Sequence, residues 1–156
     1  MSDIKNQSER GPFLSAALLC ETVLVEQDGV KSAIRIVDRV TRTAVGPNPP
    51  SEMEPFNYQI KLLIKFKSGW ARGVHKVKIQ PTKPSGELMP EFVRSVLFEG
   101  EEDRGIDIII DTIFKLDQTG IYWLHLYLND NKFTQIPLRV IYIPQVMQPL
   151  VRGGNP

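Results

Sequence analysis

The sequence predicts an all-β protein, an antiparallel sandwich of about eight strands, and three observations carry that expectation. First, the dominant hydrophobic period is two, best seen where Tyr58, Ile60, Leu62, Ile64 and Phe66 alternate with Gln59, Lys61, Lys65 and Lys67. Second, helical spacing is scarcely found anywhere. Third, turn-forming residues punctuate short β-rich runs at the spacing of a sandwich. At 156 residues the chain has the length of one domain.

In order along the chain, strands are expected near 16–26, 30–42, 57–67, 72–80, 92–98, 106–116, 120–128 and 132–143. Gln27-Asp28-Gly29 separates the first two, and Asp-Gly is a strong hairpin signal because both turn positions tolerate positive φ, so the two should pair antiparallel. Ser68-Gly69 is expected to close a second hairpin and Asn129-Asp130-Asn131 a third, while Pro84-Ser85-Gly86 marks a further turn. A Pro-rich loop over 44–56 joins the second and third strands. Pro137 removes a ladder donor, so its strand is expected at an edge or at a bulge. Residues 1–12 read as a flexible arm, 13–143 as the domain and 144–156 as a Pro/Gly-rich tail.

Composition excludes several classes of function. No apolar run approaches the length of a membrane helix, so no membrane association is expected. One cysteine, Cys20, cannot form an internal disulfide, and two histidines, His75 and His125, leave Cys/His zinc sites short of ligands. The opening residues lack the pattern of a secretory signal, which points to a cytoplasmic protein. No phosphate-cradling or dinucleotide fingerprint is present, and no cofactor is expected.

The formal net charge of +1 hides a division. Residues 55–86 hold seven Lys or Arg and no acid, whereas residues 87–117 hold nine acids and three bases. Two strand surfaces that neutralise each other within the molecule explain this, and so does a surface for a partner.

Residues 116–124, Leu-Asp-Gln-Thr-Gly-Ile-Tyr-Trp-Leu, resemble the corner that leads into the sixth strand of immunoglobulin-like domains. There the tyrosine hydroxyl bonds back to the backbone upstream. Leu124 occupies the place of the second cysteine of antibody domains. The resemblance implies an immunoglobulin-like sandwich and a bond from Tyr122 to backbone near 117–120. A second resemblance runs from Cys20 to Val40, through the Lys-rich strand, Gly73–Ile79 and the Pro-Ser-Gly turn. It is to a group of small uncharacterised bacterial β-sandwich proteins with a domain of unknown function. That resemblance implies a bacterial or phage source and a β-sandwich, with no catalytic residues to carry over.

Candidate chemistry is thin. His75 and His125 fall inside predicted strands rather than on loops. Cys20 lies in an apolar strand without an activating neighbour. The Glu99, Glu101, Glu102 and Asp103 cluster lacks the ligand alternation of a calcium loop.

The remaining feature is a surface. With Tyr122 and Leu124 facing the core, Leu126 and Leu128 follow, and Trp123, His125 and Tyr127 point outward. A neighbouring third strand would add Lys61, Leu63 and Lys65 to that face, and the last strand Gln135 and Arg139. The sixth strand would present Asp107 and Asp111 on the opposite sheet. The expected molecule then has a basic, aromatic front and an acidic back. It is a non-catalytic intracellular protein-binding or assembly module, with head-to-tail self-association or a protein partner through these residues. The rival readings are nucleic-acid or glycan binding on the same face, and a small hydrolase or metal-dependent enzyme.

Overall fold

The computed structural model describes residues 10–148. Nine strands form two sheets: β1 (Phe13–Val25), β2 (Lys31–Ile36), β3 (Arg39–Gly46), β4 (Phe56–Lys67), β5 (Arg72–Thr82), β6 (Phe92–Glu99), β7 (Gly105–Leu116), β8 (Gly120–Leu128) and β9 (Asn131–Val146). One sheet has the order β2-β1-β4-β7 and the other β3-β9-β8-β5-β6. All pairings are antiparallel except β3 with β9. No helix is present among the described residues. Residues 1–9 of the expected arm and 149–156 of the expected tail lie outside them, while Arg10 O accepts from Trp70 N–H.

Alternation builds the core. Ile60, Leu62, Ile64 and Phe66 of β4 and Ile108, Ile110 and Phe114 of β7 face Val77 and Ile79 of β5 and Tyr122, Leu124, Leu126 and Leu128 of β8. Phe66 meets Phe98 of β6 edge to face at 6.1 Å between centroids, joining the two layers.

The turn between β1 and β2 joins antiparallel strands as expected, but through residues 26–30 and with only Gly29, not Asp28, at positive φ, whereas the Asn129-Asp130 turn has both residues there. Gly29, at φ 84°, closes β1 onto β2. Asn129 and Asp130, at φ 47° and 66°, form the two-residue turn between β8 and β9, a conformation that Asn and Asp tolerate.

Three expectations are corrected. Ser68-Gly69 does not close a hairpin: β4 and β5 belong to different sheets, and the turn carries the chain between layers. Its groups bond outside the pair, Ser68 N–H to Arg104 O and Gly69 N–H to Glu102 O. The predicted strand 30–42 is two strands that change sheet at Val37-Asp38. Val37 N–H still bonds Leu19 O, while Asp38 O already accepts from Arg139 N–H. The chain bends between layers there without reversing, so no Gly or Pro marks it. Finally, β9 runs to Val146, past the expected boundary at 143.

β9 is an inner strand, yet its prolines occupy empty ladder positions. Arg139 N–H points toward β3, so Pro137 presents its nitrogen to the same side, before β3 pairing begins at Arg39. Pro144 presents its nitrogen toward the β8 side, beyond the last β8 pair at Val140. β9 is not an edge strand, and it contains a bulge at Phe133, since Leu126 pairs with Thr134 and Tyr127 with Lys132.

Candidate partner-binding face

β8 lies at the centre of the five-stranded sheet, and strand alternation turns Trp123, His125 and Tyr127 outward while their neighbours fill the core. Register fixes what flanks each ring. Tyr127 lies between Lys78 and Lys132, His125 between Gln80 and Gln135, and Trp123 between Thr82 and Pro137. Beyond them, Ile121 neighbours Arg139, which pairs in turn with Arg39 of β3. Lys76 lies one step further along β5 from Lys78. Strands β3, β5, β8 and β9 contain no Asp or Glu at any position. Asp130 in the turn lies 3.4 Å from Lys76 Nζ and 3.9 Å from Lys78 Nζ, Asp38 directly precedes Arg39, and Glu99 of β6 stands opposite Arg72.

The rings are not equally available. Lys78 Nζ sits 4.9 Å from the centroid of Tyr127, over its face. His125 packs down so that Nδ1 is buried without a partner, while Nε2 lies 3.4 Å from Thr82 Oγ1. Burial, aided by the Lys132 charge, lowers the His125 pKa, so the ring is neutral at pH 7. Trp123 is half-buried, and no cation covers it among the described residues.

Lys61, Leu63 and Lys65 are not on this face. They lie on the outer side of β4 in the other sheet, where β4 pairs directly with β7. Lys61 stands opposite Asp111 and bonds it, and Lys65 stands opposite Asp107, with Nζ 3.0 Å from its carboxylate. The expected acidic back and part of the expected basic front are therefore one surface, neutralised by cross-strand ion pairs. The physical reason is the layer change at Ser68-Gly69, which puts β4 beside β7 instead of β8.

The β1–β2 hairpin also covers that surface. β1 pairs with β4 only as far as Cys20, after which the hairpin turns over the sheet. Its tip, Asp28 to Lys31, lines a common cleft with Ala16, Leu63, Lys65 and Asp107. Lys31 Nζ is 2.6 Å from Asp107, and Leu63 is only 9% exposed. Burial of Asp107 would raise its pKa, but hydrogen bonds from Lys31 and Lys65 outweigh that and lower it.

The other candidate groups are held by local structure. His75 Nδ1 accepts from Asn129 Nδ2 at 2.6 Å, leaving Nε2–H to donate to Arg72 O at 3.0 Å. Cys20 is buried, and burial raises its pKa against a smaller opposing effect of Lys61. Glu99 and Glu101 pair with Arg104, and Glu102 accepts from the Trp70 indole at 3.0 Å. Among the described residues, no three His, Cys, Asp or Glu side chains gather as a metal site, and no helix is long and apolar enough to cross a membrane.

At the opposite end of β8, Tyr122 is 2% exposed. Its hydroxyl accepts from Asp117 N–H at 3.1 Å and Gln118 N–H at 3.0 Å, and donates to Asp117 Oδ1 at 3.2 Å. Lys83 Nζ, 2.8 Å away, holds the other Asp117 oxygen and lowers that carboxyl's pKa. Gly120 opens the strand at φ 120°, where an added Cβ would lie 3.0 Å from Pro84.

Sequence reasoning found Trp123, His125, Tyr127, Gln135 and Arg139 of this face. It missed Arg39, Lys76, Lys78 and Lys132. The shared absence of acids from residues 55–86 and from the last two strands was the available signal. The fold and this face define an all-β, two-sheet sandwich with one charged and aromatic sheet surface. No protein-family model matches the chain, and no curated protein matches its sequence.

Proposed function

We propose that this chain is a non-catalytic binding module, built on an immunoglobulin-like sandwich, that holds a protein partner on the outer face of the β3-β9-β8-β5-β6 sheet. One observation carries the reading. This face bears Arg39 and Arg139 at one end of the Trp123-His125-Tyr127 row and Lys76, Lys78 and Lys132 at the other, with no acid in the four strands that supply them, whereas Lys31, Lys61 and Lys65 of the other outer face are bonded to Asp107 or Asp111. A half-buried aromatic with Arg nearby is the composition of an interface hot spot.

The immunoglobulin-like assignment rests on strand order. β1, β4 and β7 match strands A, B and E, and β9, β8 and β5 match G, F and C, with β6 extending the second sheet. The Tyr122 bonds to the backbone of Asp117 and Gln118 have the form of the tyrosine corner in such domains. A lone buried thiol accords with a cytoplasmic setting. The neutralised β4–β7 face removes the basis for head-to-tail self-association through opposite charges.

The test compares affinity capture by the wild type, Trp123→Ala and Ile113→Ser, the last on the exposed outer side of β7. A protein retained by the wild type and Ile113→Ser, and lost from Trp123→Ala, supports the reading. Equal capture by all three, or nucleic acid as the captured species, overturns it.

A further inference from the structure

Arg39 and Arg139 are register partners on neighbouring strands, so their backbones run about 4.8 Å apart. Val40 and Val140, the next residues, are both buried in the core, which turns both arginines outward. Both are exposed. Like charges placed opposite each other destabilise a sheet unless something neutralises them. Arg35 pairs with Glu21 at 2.7 Å and Arg104 with Glu99 at 2.8 Å, whereas several other arginines have no carboxylate partner among the described residues; what sets Arg39 and Arg139 apart is that they stand opposite each other. Neither Arg39 nor Arg139 has a carboxylate partner among the described residues. Arg139 also lines a cleft of about 740 Å³ between the loop at Ser51–Met53 and the turn at Asp117–Gly120. Glu52 lines the same cleft without forming an ion pair to Arg139, and Asp117 is already held by Lys83.

We infer that Arg39 and Arg139 together hold a carboxylate of an acidic segment of a protein partner, whose chain packs against Trp123. The inference rests on the binding-module reading and names the partner's chemistry. Guanidinium groups match carboxylates with paired, directional hydrogen bonds, and a carboxylate between two of them removes the like-charge cost. Trp123 is one cross-strand row from Ile121 and Arg139, close enough to the ion pair to exclude water from it. A single-stranded nucleic acid fits the face less well. It stacks successive bases on successive rings, but Tyr127 is capped by Lys78 and His125 is packed into the sheet.

The experiment uses the full chain and a fluorescent twelve-residue peptide of alternating Glu and Leu, with a twelve-residue oligothymidine as the second probe. Binding is followed by anisotropy at low and moderate salt. The expected result is peptide binding weakened about tenfold by Arg139→Gln or Arg39→Gln, the loss of roughly one charged hydrogen bond. Arg139→Lys should restore it only in part, and Trp123→Ala should weaken it as well. Because both arginines are exposed, Arg→Gln should leave the denaturation midpoint unchanged or raise it. Peptide binding sensitive to Trp123→Ala but indifferent to both Arg variants overturns the carboxylate site and leaves the face standing. Indifference to all three variants, or no peptide binding, overturns both. Tighter binding of the oligothymidine than of the peptide overturns the partner class.

Discussion

Replacing Tyr122 by Phe removes one oxygen and leaves the ring in place. That oxygen accepts from two backbone N–H groups and donates to Asp117. A net hydrogen bond contributes about 0.5–1.5 kcal/mol, and a buried donor left without a partner costs about 1–3 kcal/mol. Asp117 and Gln118 are half-buried, so water reaches part of the vacated position and the upper sum does not apply. The expected loss is about 2–3 kcal/mol, a shift of roughly 5–10 °C in Tm for a chain of this size. Urea denaturation followed by tryptophan fluorescence and by circular dichroism measures it, with an unchanged m-value showing that the two end states are preserved. An unaltered midpoint would refute the reasoning, because it would mean the turn at 117–120 does not depend on the hydroxyl.

Other outcomes follow from the charge map. Lys61→Glu with Lys65→Glu should lower the denaturation midpoint of the isolated chain. Adding Asp107→Lys and Asp111→Lys should recover much of the loss, since the four residues face each other across β4 and β7; no recovery would contradict that register. Lys31→Ala should speed the reaction of Cys20 with a thiol reagent well below the unfolding midpoint, because the hairpin that Lys31 ties to Asp107 covers that strand. Unchanged kinetics would contradict the tie. The folded pKa of His125 lies below its unfolded value of about 6.5. Its contribution to stability is therefore full above pH 6.5 and is lost as pH falls through the folded value. His125→Gln should flatten stability between pH 7 and 5. Asp107, also lowered, contributes fully above about pH 4 and loses that contribution as pH falls further, so Asp107→Asn should flatten only the acid limb.

What could be read from the sequence was what local pattern determines. Alternation placed Tyr122, Leu124, Leu126 and Leu128 in the core and Trp123, His125 and Tyr127 outside. Asn129-Asp130 announced its turn through tolerance of positive φ. Which sheet a strand joins is a long-range matter. Ser68-Gly69 has the residues of a hairpin turn, and nothing within it tells that β4 stays with β7 while β5 crosses to β8. A weak signal existed in the charges: Lys61 and Lys65 lie four apart, as do Asp107 and Asp111, the spacing of two antiparallel cross-strand pairs. The division of 30–42 escaped notice because a strand that changes layers without reversing needs no turn residue. Lys76, Lys78 and Lys132 were visible as charge but could not be assigned to a face until β5, β8 and β9 were known to be neighbours.

Hydroxyl-radical footprinting of the chain alone and bound to its captured partner tests the recognition face most directly, because the two tryptophans report from different places. Trp123 lies at the centre of the five-stranded sheet, and Trp70, 58% exposed, lies in the turn between β4 and β5. Protection of Trp123, with Trp70 and Ile113 still oxidised as in the free chain, is the predicted result. Protection of Trp70 or Ile113 with Trp123 unchanged would place the partner elsewhere and contradict the assignment.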